Sequence, residues 1–110
     1  MVKLFVNGSL VVLMFMAAPA LAAPEAYTLI IKEHRFDPPQ LTVPAHKKVK
    51  LFIQNQDQTA EEFESIDLNR EEIIDANSQG TIFIGPLAPG TYKFIGEFHA
   101  ETAQGEIIAQ

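Results

Sequence analysis

Beyond residue 26 the chain alternates apolar and polar side chains in short runs broken by turn residues, as strands with one buried face do. Tyr27, Leu29 and Ile31 alternate with Thr28, Ile30 and Lys32 and predict a first strand. Asp37-Pro38-Pro39 ends it, because proline donates nothing to a ladder and restrains the residue before it. Gln40 to Val43 reads as a second strand, closed by Pro44 and a turn at Ala45-His46-Lys47. Val49, Leu51 and Ile53 then face one way and Lys48, Lys50, Phe52 and Gln54 the other, the clearest half-buried strand in the chain. The stretch from Glu61 to Ala76 is less decided. Phe63, Ile66, Arg70 and Ile73-Ile74 fall about one helical turn apart, but turn residues bracket the stretch at Asn55-Gln56-Asp57 and Asn77-Ser78-Gln79-Gly80. That bracketing favours two short strands with a partly helical or irregular link. Gly80 to Ile84 is another strand, Gly85 to Gly90 a tight connection, and Tyr92, Phe94 and Gly96 alternate inward beyond it. Gln104 to Ala109 closes the series. About eight strands at this spacing predict an all-β Greek-key β-sandwich.

The first residues change the picture of where the domain works. Met1-Val2-Lys3 is a short positive start, Leu4 to Ala18 is largely apolar, and Ala20-Leu21-Ala22 fits the small-x-small cleavage rule. Residues 1–22 are thus expected to be a secretory signal peptide and residues 23–110 the folded domain. The apolar run is shorter than the roughly 20 residues a bilayer span needs, which argues against a retained anchor. Export favours disulfides in a domain this small, yet the chain has no cysteine. Packing and backbone pairing must hold it together, and neither thiolate chemistry nor a type 1 copper site is available.

The formal net charge is −6, with Asp57, Glu61, Glu62, Glu64, Asp67, Glu71, Glu72 and Asp75 crowded into one stretch. Such a field repels nucleic acid and anionic lipid and concentrates cations. Its plainer reading is a solvated acidic edge. The chain holds no phosphate-cradling glycine loop, and Ser65 and Ser78 have no histidine beside them in sequence, so nucleophilic catalysis has no support.

Two stretches carry a resemblance. Pro44-Ala-His-Lys-Lys-Val-Lys-Leu-Phe-Ile-Gln-Asn-Gln-Asp57 resembles the cupredoxin pattern P-A-G-x-x-V-x-L-x-x-x-N-x-D, and Leu87-Ala-Pro-Gly-Thr-Tyr-Lys-Phe94 resembles L-x-P-G-x-Y-x-F. Glu61-Glu-Phe-Glu-Ser65 and Gly96-Glu-Phe-His-Ala-Glu-Thr-Ala-Gln-Gly105 are similar to the acidic motifs of EfeO-type cupredoxin-like domains, small periplasmic components of bacterial iron-uptake systems. Carried over residue by residue, the resemblance puts Glu61 where a copper cupredoxin has its first histidine. Gly96 stands in the thiolate place, His99 is the retained second histidine, and Ala103 stands in the axial methionine place. His46 stands where the family has a turn glycine, so a turn of another type is expected there.

In a Greek-key sandwich the loops after Asp57 and after Phe94 lie at one end, so Glu61, Glu62, Glu97 and His99 are the candidate metal ligands. Glu64 or Glu101 could replace a neighbour, and of the adjacent pair Glu61 and Glu62 one must face away. Carboxylates with one imidazole suit iron, manganese, zinc or Cu(II), and suit Cu(I) poorly. His34, beside Arg35 near a strand end, reads as solvent-exposed, with Asp37 as its nearest candidate partner. Phe63, Phe94 and Phe98 read as core or as walls of the site. The resemblance implies a periplasmic metal-binding protein that assists iron uptake, using iron or copper. Its expected partners are an inner-membrane iron permease, a periplasmic iron-binding protein and, as a homodimer, a second copy of the chain. Any ferroxidase-type activity would belong to the assembly. The alternative is a metal-free acidic module that docks on a permease or another periplasmic partner.

Overall fold

The computed structural model describes residues 8–14 and 23–110. Most of the expected leader lies outside the described residues, and residues 8–14 carry neither helix nor strand. The domain has nine strands: β1 (Glu25–Lys32), β2 (Arg35–Asp37), β3 (Gln40–Val43), β4 (Val49–Asn55), β5 (Glu61–Ser65), β6 (Arg70–Ile74), β7 (Gln79–Ile84), β8 (Gly90–Gly96) and β9 (Gln104–Ala109). One 3-10 turn, Glu97–His99, follows β8. The strands form two sheets, ordered β2-β1-β4-β7 and β3-β9-β8-β5-β6. β1 runs parallel to β4 and β3 parallel to β9, while the remaining pairs are antiparallel. The all-β cupredoxin-like sandwich expected from the alternation is the fold observed.

The inward residues of the alternating runs fill the space between the sheets. Leu29, Ile31, Val49, Leu51, Ile53, Ile82 and Ile84 come from the first sheet, and Val43, Phe63, Ile74, Phe94, Ile107 and Ala109 from the second. Phe36 from β2 meets Phe94 edge-on at 4.9 Å between ring centroids, and Phe63 lies 5.0 Å from Phe94. Edge-on contacts suit the aromatic quadrupole and stiffen this end of the core. Phe63 and Phe94 are core as expected. Phe98 is not, being 49% exposed.

Two features differ from the sequence reading, and the two short strands it favoured between residues 61 and 76 are found. The first strand does not run to Asp37: Glu33 and His34 take φ of 53° and 56°, and the chain turns back into β2 with Lys32 opposite Arg35. That is a two-residue hairpin with positive φ at both central positions, the geometry that normally selects Asn-Gly. The ambiguous acidic stretch is a hairpin of β5 and β6. Its turn is held by the Ser65 hydroxyl, which donates to Lys93 O and accepts from Leu68 N. Finally, His46 keeps the left-handed conformation, at φ 60°, with its amide bonded to Leu87 O. The turn there does not change type. The histidine accepts the strained backbone.

Candidate metal centre

The site is built where the β1–β2 turn, the start of β5 and the 3-10 turn after β8 converge at one end of the sandwich. Asn55 ends β4 and sets the following loop. Its buried amide donates to Thr59 O, Ile74 O and Asp75 O, and its carbonyl accepts from Asp57 N. So anchored, the Asp57 carboxylate accepts from both amides of the strained turn, Glu33 N at 2.8 Å and His34 N at 3.0 Å. Burial alone would raise the Asp57 carboxyl. The two amide donors and the nearby His34 and His99 outweigh it and hold the group below its ordinary value. The N-x-D motif thus positions His34.

Glu61 is 1% exposed, an unusual place for a carboxylate, and its oxygens are accounted for. Oε1 accepts from Phe98 N at 2.9 Å and Glu62 N at 3.0 Å, and Oε2 lies 2.6 Å from His99 Nδ1. A contact that short between imidazole N–H and carboxylate is a charge-assisted hydrogen bond. In the tautomer with the proton on Nδ1, the Nε2 lone pair is left to bind a metal, with the carboxylate orienting the ring. The His34 ring stacks on His99 with centroids 3.6 Å apart and planes 16° from parallel. His34 Nδ1 is buried, sits 3.5 Å from Asp57 Oδ2, and makes no hydrogen bond. One polar nitrogen near the Asp57 carboxylate is therefore left without a hydrogen-bond partner.

His34, Glu61 and His99 each offer a ligand atom, all within 4.8 Å of one another. Of the sequence-predicted set, the structure brings Glu61 and His99 together. Glu62 and Glu97 gather instead on the outer side of the same sheet with Glu71, again within 4.8 Å. The division follows from strand alternation: Glu61 and Glu62 are adjacent on β5 and project to opposite faces. Glu62 is pushed up to about 7, first by sharing a hydrogen bond with Glu71, then by burial and the charge of Glu97. Glu64 is also raised, mainly through Glu97. Glu101 lies exposed in the loop after the 3-10 turn.

His34, read from the sequence as solvent-exposed, keeps 43% of its side chain exposed, and it lies against Asp57 and stacks on His99, with neither contact signalled by its own neighbours in sequence. The motif that could have found it is Asp57 itself, whose role only becomes visible once the hairpin folds back.

The donor set decides which family chemistry fits. Gly96, in the thiolate place, has no room for a side chain: a Cβ there would lie 2.6 Å from Glu61 Cδ and 2.6 Å from Ala103 Cβ. Ala103, in the methionine place, is 0% exposed. The Glu61 carboxylate therefore stands where a sulfur ligand would stand, and a type 1 copper site does not fit this chain.

The cupredoxin-like domain family matches residues 7–109. The chain belongs to that family. This cupredoxin is 48% identical over 80 residues to an uncharacterized protein of Rickettsia prowazekii (strain Madrid E), covering 73% of this chain and 64% of the relative's length. Among solved structures it is similar to auracyanin A, a blue copper protein of Chloroflexus aurantiacus, with a TM-score of 0.68 and 17% identity over 80% of this chain and all of that one. Amicyanin from Paracoccus versutus superposes with a TM-score of 0.62 at 14% identity, covering 83% of this chain and 87% of that one. At such identities the likeness to solved structures is one of fold.

Proposed function

We propose that this cupredoxin binds a borderline or hard transition-metal ion in the periplasm through His34 and His99, with Glu61 orienting the His99 ring, and serves iron uptake by holding or handing on the ion. The observation that carries the reading is the buried, unbonded His34 Nδ1 beside the Glu61–His99 pair. A buried polar atom without a partner costs about 1–3 kcal/mol, so its retention argues for a ligand that satisfies it. Two imidazoles, with water completing the shell, suit Cu(II), Zn(II) or iron. Lone pairs lie in the ring planes, so nearly parallel rings do not aim at one ion, and binding through both must open the stack. An ion held this way would act as a Lewis acid or accept an electron. The chain's own part is to orient the rings through Asp57 and Glu61. The iron pathway, the inner-membrane permease and the periplasmic iron-binding partner rest on the resemblance of the two acidic motifs, as does any ferroxidase step in an assembly. The periplasmic site rests on the leader.

Calorimetry and EPR with Cu(II), Zn(II) and Fe(III) test the site. His34→Ala and His99→Ala should each weaken binding by about tenfold or more, with the coupling of one nitrogen lost from the Cu(II) spectrum. Unchanged affinity in the double variant retires the assignment. A metal-free docking module remains the second reading because the Glu61 carboxylate is already satisfied by three donors. Docking through the acidic surface would weaken steeply with salt and ignore chelators, the reverse of the metal reading.

A further inference from the structure

The acidic stretch that gives the chain its charge lies along β5 and β6, in one sheet. The outer face of the other sheet has the opposite sign. Strand alternation turns Lys32, Arg35, Lys50, Phe52 and Phe83 away from the core, with Asp37 as the one acid among the outward positions of β1, β2, β4 and β7. Lys47 and Lys48 extend this face just before β4 and are exposed. No carboxylate neutralises these lysines: among the described residues, the only ion pairs within 4.0 Å are those of His34 and His99. Lys48 Nζ lies instead 4.7 Å from the centroid of the Phe83 ring, and Lys50 Nζ 4.8 Å from that of Phe52. Each ammonium covers a ring and keeps its charge. Phe83 still stays 41% exposed. Stacked sheets sit about 10 Å apart and salt screens charges over about 8 Å, so the acidic face cancels the basic one only in part.

Two observations say what covers this face. The first is its composition. Protein–protein interfaces are depleted in lysine and enriched in arginine, whereas the patch is lysine and phenylalanine. Arg70 reaches the same edge, but its guanidinium donates to the carbonyls of Phe83, Leu68 and Asn69. Binding to a lipid interface scales with buried apolar area plus attraction to anionic headgroups, and exposed phenylalanine among lysines supplies both. The second observation is where the chain enters the fold. The apolar segment Leu10 to Met14 is exposed, and the chain beyond it joins the first strand at Glu25, which the register sets beside Val49, between Lys48 and Lys50. A leader engaged with a bilayer therefore brings this end of the sheet to the lipid. We propose that Lys47, Lys48, Lys50 and Phe83 form a docking surface for a bilayer that carries anionic phospholipid.

The acids nearest the patch do not oppose this. Glu25 accepts from the Tyr27 hydroxyl, and Glu72 lies against Gly80 at the far end of β7. The histidine site lies past the other end of β1. From Ala26, opposite Lys50, to Lys32 is about 20 Å along the strand, so docking leaves the two imidazoles clear of the bilayer.

Sedimentation of the exported protein with vesicles tests the proposal. It should bind vesicles of phosphatidylethanolamine and phosphatidylglycerol, come off as salt rises, and leave phosphatidylcholine vesicles alone. Each lysine at such a surface strengthens binding about fivefold, so Lys48→Gln with Lys50→Gln should weaken it about twentyfold. Neither side chain enters the core, so the double variant should keep the circular dichroism of the wild type. The chain has no tryptophan, which makes Phe83→Trp a single reporter. Its emission should move to the blue on anionic vesicles, while that of Ile73→Trp, on the acidic face, should not. Equal binding to both kinds of vesicle overturns the proposal, since apolar leader residues alone would give it. So does unchanged binding in the lysine variant, or a blue shift from Ile73→Trp alone. Absence of binding to either vesicle also overturns it and leaves the face to an acidic protein.

Discussion

Replacing Gly96 by alanine should destabilise this domain through one named collision. The glycine is not required by its backbone: φ is −92° and ψ 107°, open to any residue. What it supplies is space. An added Cβ would sit 2.6 Å from Ala103 Cβ, 2.6 Å from Glu61 Cδ and 2.8 Å from Glu61 Oε1. A flexible side chain could usually swing away. Glu61 cannot do so freely, because Phe98 N, Glu62 N and His99 Nδ1 hold its two oxygens. Either the methyl is forced in, at the roughly 1–3 kcal/mol typical of overpacking, or the carboxylate is expelled and loses charge-assisted hydrogen bonds worth about 1.5–3 kcal/mol each. These routes are alternatives, so the expected cost is about 2–3 kcal/mol. For a domain of this size that lowers the thermal midpoint by roughly 10–20 °C.

Urea unfolding of four proteins, arranged as a double-mutant cycle with Glu61→Ala, assigns the cause. With Glu61 truncated, two of the three nearest collisions are gone and that with Ala103 Cβ remains, so the cost of Gly96→Ala should fall to about 1 kcal/mol. A cost below about 0.5 kcal/mol in the wild type would refute the packing argument, since that is the range of unconstrained surface changes. An equal cost in both backgrounds would refute the part played by Glu61.

Two further outcomes follow from the same geometry. Asp57→Ala removes the acceptor for both amides of the Glu33–His34 turn and should cost about 2–4 kcal/mol. The His34 ring-proton NMR resonances should lose the upfield shift that stacking on His99 gives, and a retained shift would show that the turn holds without Asp57. The second outcome concerns pH. Glu62 rises from 4.5 to about 7 on folding, so the folded state binds the extra proton. Its stabilisation is fully present below pH 4.5 and is lost as pH rises through about 7, so this cluster makes stability fall across that window. Thermal melts should show the fall in the wild type and a flatter profile in Glu71→Gln; identical slopes would contradict it.

How much of this was legible in the chain depended on where the determining contact lay. Strands such as β4 announce themselves, because burial on one face writes itself into every second residue. The β1–β2 hairpin does not. Its turn residues are Glu33 and His34, neither of which favours positive φ, and what stabilises them is a carboxylate more than twenty residues away. A left-handed residue costs about 1–2 kcal/mol, and local propensity carries no sign of the distant acceptor that offsets it. His34 was therefore read only as an exposed residue; its side chain is 43% exposed, and the stacking on His99 is what the sequence did not carry. Glu61 and Glu62 were a different case. Alternation required them to part, yet the side facing the core could not be read from two identical residues. Gly96 decides it, by opening a space on the inner face that only the Glu61 carboxylate fills.

That last dependence bears on the three positions where the resemblance to copper cupredoxins would place sulfur and imidazole ligands. Glycine in the thiolate place, alanine in the methionine place and glutamate in the first histidine place look like three separate losses. In the folded domain they are one arrangement. Glu61 reaches inward because Gly96 lacks a Cβ and Ala103 is small, and it is held there by the amides of residues 62 and 98. Restoring a cysteine at position 96 alone would drive its Cβ into that carboxylate, so no single reversal leads back to a thiolate site. The converse also holds. With the carboxylate seated, His99 is oriented by a hydrogen bond that leaves its other nitrogen available, and Asp57 performs a matching service for His34 through the backbone of its turn. The two imidazoles are thus brought face to face by two acids, the buried Glu61 at the start of β5 and the partly buried Asp57 in the loop before it, and the same strand that supplies Glu61 inward must present Glu62 outward.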